Sequence, residues 1–116
     1  MNSDFEELTN LILKFRNDRN WKQFHNPKDS AIALLSEATE VLDEFKWLSE
    51  KEIKDKLKKR KKKVADELSD VLFWTLLMYH DLKIDIKTAF LEKMKENAKK
   101  YPIAKAKGKH SKYTEL

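Results

Sequence analysis

The sequence predicts an all-α fold of four to five helices, and three observations carry that reading. One Gly and two Pro in 116 residues leave few of the breakers that punctuate strands and turns. Apolar residues recur every three or four positions in four separate stretches, the period of a helix that buries one face. Helix-start signatures precede the stretches: Ser3-Asp-Phe-Glu6 and Ser49-Glu-Lys-Glu52 have the capping-box pattern, and Asn26-Pro27 and Asp85 read as caps.

The first helix starts at Ser3, carries Phe5, Leu8, Leu11, Ile12 and Phe15 at helical spacing, and runs to about Arg19. Asn20 to Pro27 is aromatic-rich without periodicity and reads as an ordered loop. The second helix opens at Pro27 and extends to about Leu48. At 100° per residue from Glu37, Glu40 falls near −60° and Glu44 near −20°, while Leu34, Ala38, Val41 and Phe45 fall between about +40° and +100°. The carboxylates therefore border the buried stripe, whereas surface glutamates normally oppose it; Asp43 points outward.

Ser49 opens a short helical or frayed connector. Lys54–Lys63 then places eight basic residues among ten, a block that repels itself and reads as a solvated, mobile surface. The third helix runs from about Lys63 to Leu82. Measured from Glu67, Asp70 lies near −60° and Trp74 near −20°, with Val64, Val71, Met78 and Leu82 between about +20° and +60°, repeating the geometry of the second helix. Leu68, Leu72, Leu76, Leu77 and Tyr79 widen its apolar surface almost all the way round, more than a monomer of this size covers, so an oligomer is expected. The fourth helix starts at Asp85, uses Ile86, Phe90, Leu91 and Met94, and stops at Tyr101-Pro102. Residues 1–102 read as one all-α domain and 103–116 as a basic tail that orders on a neighbouring subunit.

Composition excludes several chemistries. With no Cys there is neither a disulfide framework nor a thiolate metal site, which suits a reducing cytoplasm. Met1 is followed by acidic and polar residues, so no secretory leader is expected. The longest uncharged run, Val71–Tyr79, is far short of the ~20 residues that span a bilayer. The net charge of +5 favours anionic partners, and nucleic acid, nucleotide and plain solubility all fit it. No Gly-rich phosphate loop is present, so phosphate chemistry would rest on metal ions and Lys or Arg.

The metal candidates are Glu37, Glu40, Glu67 and Asp70. Each pair sits at i, i+3 on one helix face. Antiparallel packing of the second and third helices would gather all four into an acidic nest, costly without a cation. Oxygen donors suit Mg²⁺, or Mn²⁺, which are hard cations. Either pair alone is an ordinary helix surface in a chain that is 39% charged; the shared offset from the two stripes is what singles them out. A di-iron bundle needs Glu-x-x-His, and none of His25, His80 or His110 stands three residues after a Glu. Trp21, Phe24, His25, Trp47 and Trp74 are candidates for stacking on a base, although Trp74, deep in the apolar third helix, also reads as core. Lys93, Asn97 and Tyr101 share one face of the fourth helix and could meet a polar ligand together, or be plain surface.

Taken together, Glu37-x-x-Glu40, Glu67-x-x-Asp70 and Lys93-x-x-x-Asn97-x-x-x-Tyr101-Pro102 resemble the all-α MazG-like nucleoside triphosphate pyrophosphohydrolases. Phe15-Arg-Asn-Asp-Arg-Asn-Trp21-Lys-Gln-Phe-His25-Asn-Pro27 and Ser111-Lys-Tyr-Thr-Glu-Leu116 are similar to the dCTP pyrophosphatase branch. The resemblance covers nearly the whole chain. It implies a MazG-like bundle assembled through subunit pairing into a homotetramer with sites between subunits. It also implies hydrolysis of a (deoxy)nucleoside triphosphate, dCTP or a modified pyrimidine first, to monophosphate and pyrophosphate. By the same resemblance Glu37, Glu40, Glu67 and Asp70 hold Mg²⁺, Trp21, His25 and Trp47 lie near the base, and Lys93, Asn97 and Tyr101 complete the pocket. Three departures stand out: Ser36 where an acidic residue is frequent, Trp74 where Tyr is common, and the unusually basic Lys54–Lys63 block. The rival reading is a basic helical nucleic-acid-binding or interaction module, which lacks a visible recognition helix. A silent scaffold relative is disfavoured because all four carboxylates are present.

Overall fold

A computed structural model describes residues 3–116; Met1 and Asn2, where the leader was sought, lie outside them. All described secondary structure is helical: α1 Asp4–Asp18, a 3-10 turn Lys22–Phe24, α2 Pro27–Asp43, α3 Glu50–Asp81, α4 Ile86–Lys100, α5 Ile103–Ala106 and a 3-10 turn Tyr113–Glu115. None of these helices is long and apolar enough to cross a membrane. The chain divides into two compact units, residues 1–83 and residues 84–116.

In the first unit the caps work as their side chains dictate. Ser3 accepts the Glu6 amide, and Asn26 accepts the Asp29 amide while Pro27 fills the first helical position, where no amide hydrogen is needed. At α3 both halves of the box form, with Ser49 accepting the Glu52 amide and Glu52 accepting the Ser49 amide.

Two boundaries differ from expectation. Helix α2 ends at Asp43 rather than near Leu48, because Phe45 and Leu48 donate to the carbonyls three residues back and tighten the chain into a reversal that delivers Ser49 as the next cap. The expected connector is helical and meets the third helix at a kink, where the backbone of Arg60 is non-helical (φ −129°, ψ 30°), three residues before the expected start at Lys63. The block stays helical because Lys and Arg are good helix formers. Carboxylates also relieve its repulsion: Lys56 meets Glu44, Lys62 meets Asp66 and Lys63 meets Glu67.

Helices α1 and α2 both pack on α3. Among the described residues the buried apolar side chains are Ile12, Val64, Leu76 and Leu77, so the core is a thin seam with α3 at its centre. Leu68 and Leu72 on α3 remain exposed as expected, joined by Ile32, Leu35 and Leu42 on α2, whereas Leu76 and Leu77, expected on the same surplus surface, are buried in the core of the subunit itself. The Arg16 guanidinium is buried against α3, where Nη1 and Nη2 donate to the two oxygens of Asp81 at 2.8 and 3.0 Å.

In the second unit Asp85 caps α4 by accepting the Thr88 amide. Pro102 ends α4, and Tyr113 packs edge-on against Tyr101 with the Lys100 ammonium 4.9 Å above its ring. The segment expected to order on a neighbouring subunit already carries two short helical turns held by these local contacts.

Candidate functional site

The six residues between α2 and α3 force the helices to run antiparallel, with Glu44 against Lys56 near the turn and Glu37 and Glu40 against Asp70 further along. One carboxylate oxygen each from Glu37, Glu40 and Asp70 lies within 4.8 Å of the other two. Glu37 is half-buried and the other two are exposed. Burial raises the Glu37 carboxyl above its ordinary 4.5; the hydrogen bond with Glu40 and the charges of Glu40, Asp70 and Glu67 add to the shift. Three like groups so placed favour taking up a proton or a cation.

Glu67 stands apart from this triad. It is buried, with Oε1 3.4 Å from the Lys63 ammonium and Oε2 without a hydrogen-bond partner. The expected nest of four is therefore a compact triad with a fourth, buried carboxylate whose charge still acts on Glu37. Glu44, which shares their side of α2, is committed elsewhere: the Lys56 ammonium is 2.6 Å from its carboxylate and also donates to its backbone carbonyl.

A groove of about 440 Å³ opens beside the triad, lined by Leu11, Ile12, Phe15, Trp21, Phe73 and Trp74, with Asp70 as a shared wall. Asn20, in the left-handed region (φ 54°), turns the chain out of α1 so that Trp21 meets Phe15 edge-on at 5.6 Å. Trp74 is half-buried in the groove wall instead of sealed in the core, with the rings of Phe73 and His25 edge-on to it at 5.3 and 5.2 Å. Burial, then the Arg16 charge, lower the His25 pKa against the weaker opposite pull of Asp81, so the imidazole is neutral at pH 7. Its Nδ1 is buried and unpartnered.

Within the first unit, Trp47 and Phe24 are not among the residues that line this groove. Trp47 projects from the turn after α2 and is 85% exposed, with only the Lys46 ammonium near its ring. Lys93, Asn97 and Tyr101 belong to the second unit: Lys93 pairs with Glu96, and the Asn97 carbonyl accepts the Tyr101 amide. Phe24 is exposed. Sequence reasoning missed Phe15 and Phe73 as groove walls. Phe73 carried a usable signal, since it stands three residues after Asp70 and beside Trp74 on one apolar helix. It also missed a second cavity of about 320 Å³ around Arg16, His25 and Asp81, with Lys22 and Lys83 at its edge.

Comparison with known proteins places this geometry in context. The family model described as MazG-like matches residues 32–116. The chain is 33% identical over 113 residues to dCTP pyrophosphatase 1 of Rattus norvegicus, spanning 96% of this chain and 66% of the rat protein. The same protein of Homo sapiens is 33% identical over the same shares. The chain thus spans just under two thirds of the length of these mammalian relatives. A crystal structure of a pyrophosphatase from Archaeoglobus fulgidus DSM 4304 superposes with a TM-score of 0.81 at 34% identity, covering 88% of this chain and 95% of that one.

Proposed function

The chain belongs to the MazG-like family, and from that premise we propose that it hydrolyses a (deoxy)nucleoside triphosphate, dCTP or a modified dCTP first, to the monophosphate and pyrophosphate. The observation that carries the reading is the juxtaposition of the Glu37–Glu40–Asp70 triad with an aromatic groove through the shared Asp70. The names of the relatives support a pyrophosphatase, and the groove supports a flat, stackable substrate end.

The donor set fits a divalent cation. All the groups are carboxylate oxygens, as Mg²⁺ or Mn²⁺ prefers, and the buried Glu67 Oε2 lacks any partner in the protein. Glu37, Glu40, Asp70 and Glu67 would hold the ion. When bound, Mg²⁺ supplies charge neutralisation at the phosphate oxygens and lowers the pKa of a water. The remaining work falls to side chains. Trp21, Phe73 and Trp74 grip the base and exclude water from that end, and neutral His25 fixes the Trp74 ring. A carboxylate of the nest takes the proton as the water oxygen bonds to the α-phosphorus. The bond from that phosphorus to the bridging oxygen breaks, and pyrophosphate leaves with the electron pair. Lys93, Asn97 and Tyr101 complete the pocket, with Trp47 added to the base end, in a homotetramer whose subunits share their sites. The exposed apolar faces of α2 and α3 support such pairing. The setting proposed is a cytoplasmic pool of nucleotides, and residues 1–102 are the catalytic domain with 103–116 as its tail.

A panel of dNTPs and NTPs assayed with Mg²⁺ tests this directly. Pyrophosphate should appear from at least one pyrimidine deoxynucleotide, and dCTP should be preferred. Orthophosphate as the released product, or no release from any member of the panel, sinks the reading.

A further inference from the structure

Along the antiparallel α2–α3 pair the chemistry changes in a fixed order. At the Trp74 end lies the aromatic groove, and next come Asp70, Glu40 and Glu37, then Glu67. Beyond Glu67, toward the N-terminal end of α3, the side chains turn basic. Lys63 lies one turn on, with its ammonium 3.4 Å from Glu67 Oε1 and its side chain half exposed. Arg60 follows at the point where the helical backbone is broken. Arg60 stands about one turn from Lys63 and one turn from Lys56, whose ammonium reaches Glu44 on α2, so the spacing sets it in the same row of side chains. Lys56 is itself committed to Glu44, which leaves Lys63 and Arg60 as the next cations in the row that continues from Glu67.

The order apolar, acidic, basic has the polarity of a nucleoside triphosphate. The eleven residues from Trp74 back to Lys63 rise about 16 Å along the helix, on the scale of an extended nucleotide with its triphosphate. Charge balance requires cations at the far end. Four carboxylates and a triphosphate with about four negative charges at neutral pH leave a large excess over one or two divalent ions. The Lys54–Lys63 block, which the proposed reaction otherwise leaves without a role, begins where that excess would lie.

We propose that Lys63 and Arg60 seat the β- and γ-phosphates and hold the leaving pyrophosphate, so that the substrate lies with its base at Trp74 and its tail toward the basic half of α3. Lys63, released from Glu67 when that carboxylate takes its cation, contacts the β-phosphate end, and Arg60 contacts the terminal phosphate. Both are positioning residues: they fix the direction of the chain of phosphates and carry no proton in the reaction. This inference rests on the proposed pyrophosphohydrolase reading.

The test compares the wild type with Lys63→Ala, Arg60→Ala, the double variant and Lys63→Arg, all at exposed positions of one helix. The readouts are KM and kcat for dCTP with Mg²⁺, and inhibition by inorganic pyrophosphate and, separately, by dCMP. The double variant should raise KM for dCTP about tenfold, the loss of one charged phosphate contact or more. Pyrophosphate inhibition should weaken by a similar factor, inhibition by dCMP should stay within twofold, and Lys63→Arg should restore much of the loss. Pyrophosphate inhibition unchanged in a double variant that still turns over dCTP overturns the inference and leaves the reading standing. Equal weakening of pyrophosphate and dCMP overturns it too, since that marks a disturbed nest. Unchanged KM together with lost binding to duplex DNA at low salt would assign the basic half to a polyanion instead. Failure of the wild type to release pyrophosphate removes both the reading and the inference, and is seen without any variant.

Discussion

Two groups of ionisable side chains in the first unit are built on opposite terms. Arg16 and Asp81 meet as opposite charges in a two-point hydrogen-bonded pair, with the cation fully buried. Glu37, Glu40 and Asp70 meet as like charges, with the partly buried member pushed toward its neutral form. The first set is closed as regards charge, because the two ions answer each other inside the protein and only Arg16 Nε is left without a hydrogen-bond partner. The second is open, and its repulsion is a standing cost that only a proton or a cation relieves. A protein of this size has little stability to spare. Keeping an open cluster beside a closed pair on the same helix therefore separates what holds the chain together from what the chain is for.

Experiments that break either set sharpen the contrast. The largest effect should come from the open set: Glu40→Ala or Glu67→Gln should cut pyrophosphate release by about 10²–10³-fold, or ~3–4 kcal/mol of barrier, while circular dichroism keeps its helical signal. Retention of full activity by both variants would remove these carboxylates from the mechanism.

Breaking the closed set should act on stability. Arg16→Met strips Asp81 of its partner and should cost about 2–3 kcal/mol, below the range for wholly buried pairs because Asp81 keeps some contact with water. The melting temperature should fall by roughly 10 °C. Adding Asp81→Leu should recover a good part of that loss, because replacing both charges with apolar groups removes the unpaired one. No recovery in the double variant would mean that Arg16 stabilises through its packing alone.

A smaller effect has the opposite sign. Glu37→Gln removes one of the repelling charges, so the metal-free protein should melt about 2–4 °C higher even as its turnover drops. Gain in stability with loss of function is the signature of an open cluster. A lower melting temperature would show that the Glu37 carboxylate is already compensated.

The smallest effect is on pH dependence. The Glu37 carboxyl lies above its ordinary 4.5 in the folded chain, so its contribution is fully present below 4.5 and is lost as pH rises through the raised value. The metal-free protein should lose a degree or so of melting temperature across that window, and Mg²⁺ should flatten the slope. Glu52 and Asp85, held low by their cap hydrogen bonds, act the other way: their stabilisation is present above the ordinary carboxylate range and fades as pH falls through their lowered values. A melting curve that rises with pH above 4.5 in the absence of metal would reverse the assignment for Glu37.

How far the sequence anticipated this arrangement depends on the range of the forces involved. Caps are local, so Ser3, Asn26, Ser49 and Asp85 could be read directly, and each heads a helix. The stripes of α2 and α3 fixed which faces meet, and that alone brings Glu37 and Glu40 against Asp70. Where a boundary depended on long-range charge it moved: the break falls at Arg60, three residues before the expected start at Lys63. The basic block looked self-repelling because Glu44 and Glu67, which answer Lys56 and Lys63, are felt only once the helices are packed. Arg16 and Asp81 are 65 residues apart, and no periodicity links them. Glu67 pairs with Lys63 and lies outside the triad, and its burial could not be read from helical phase alone.

The three tryptophans also make the molecule its own optical gauge. Trp47, 85% exposed, emits as indole does in water and reports on whatever covers the turn after α2. Trp21 stands at the mouth of the groove and Trp74 forms its wall, where a stacked base would quench them. A base in the groove should therefore quench Trp21 and Trp74, whereas coverage of the turn after α2 should shift the Trp47 emission to the blue. Replacing Trp47 with Phe would remove its emission and leave that of Trp21 and Trp74.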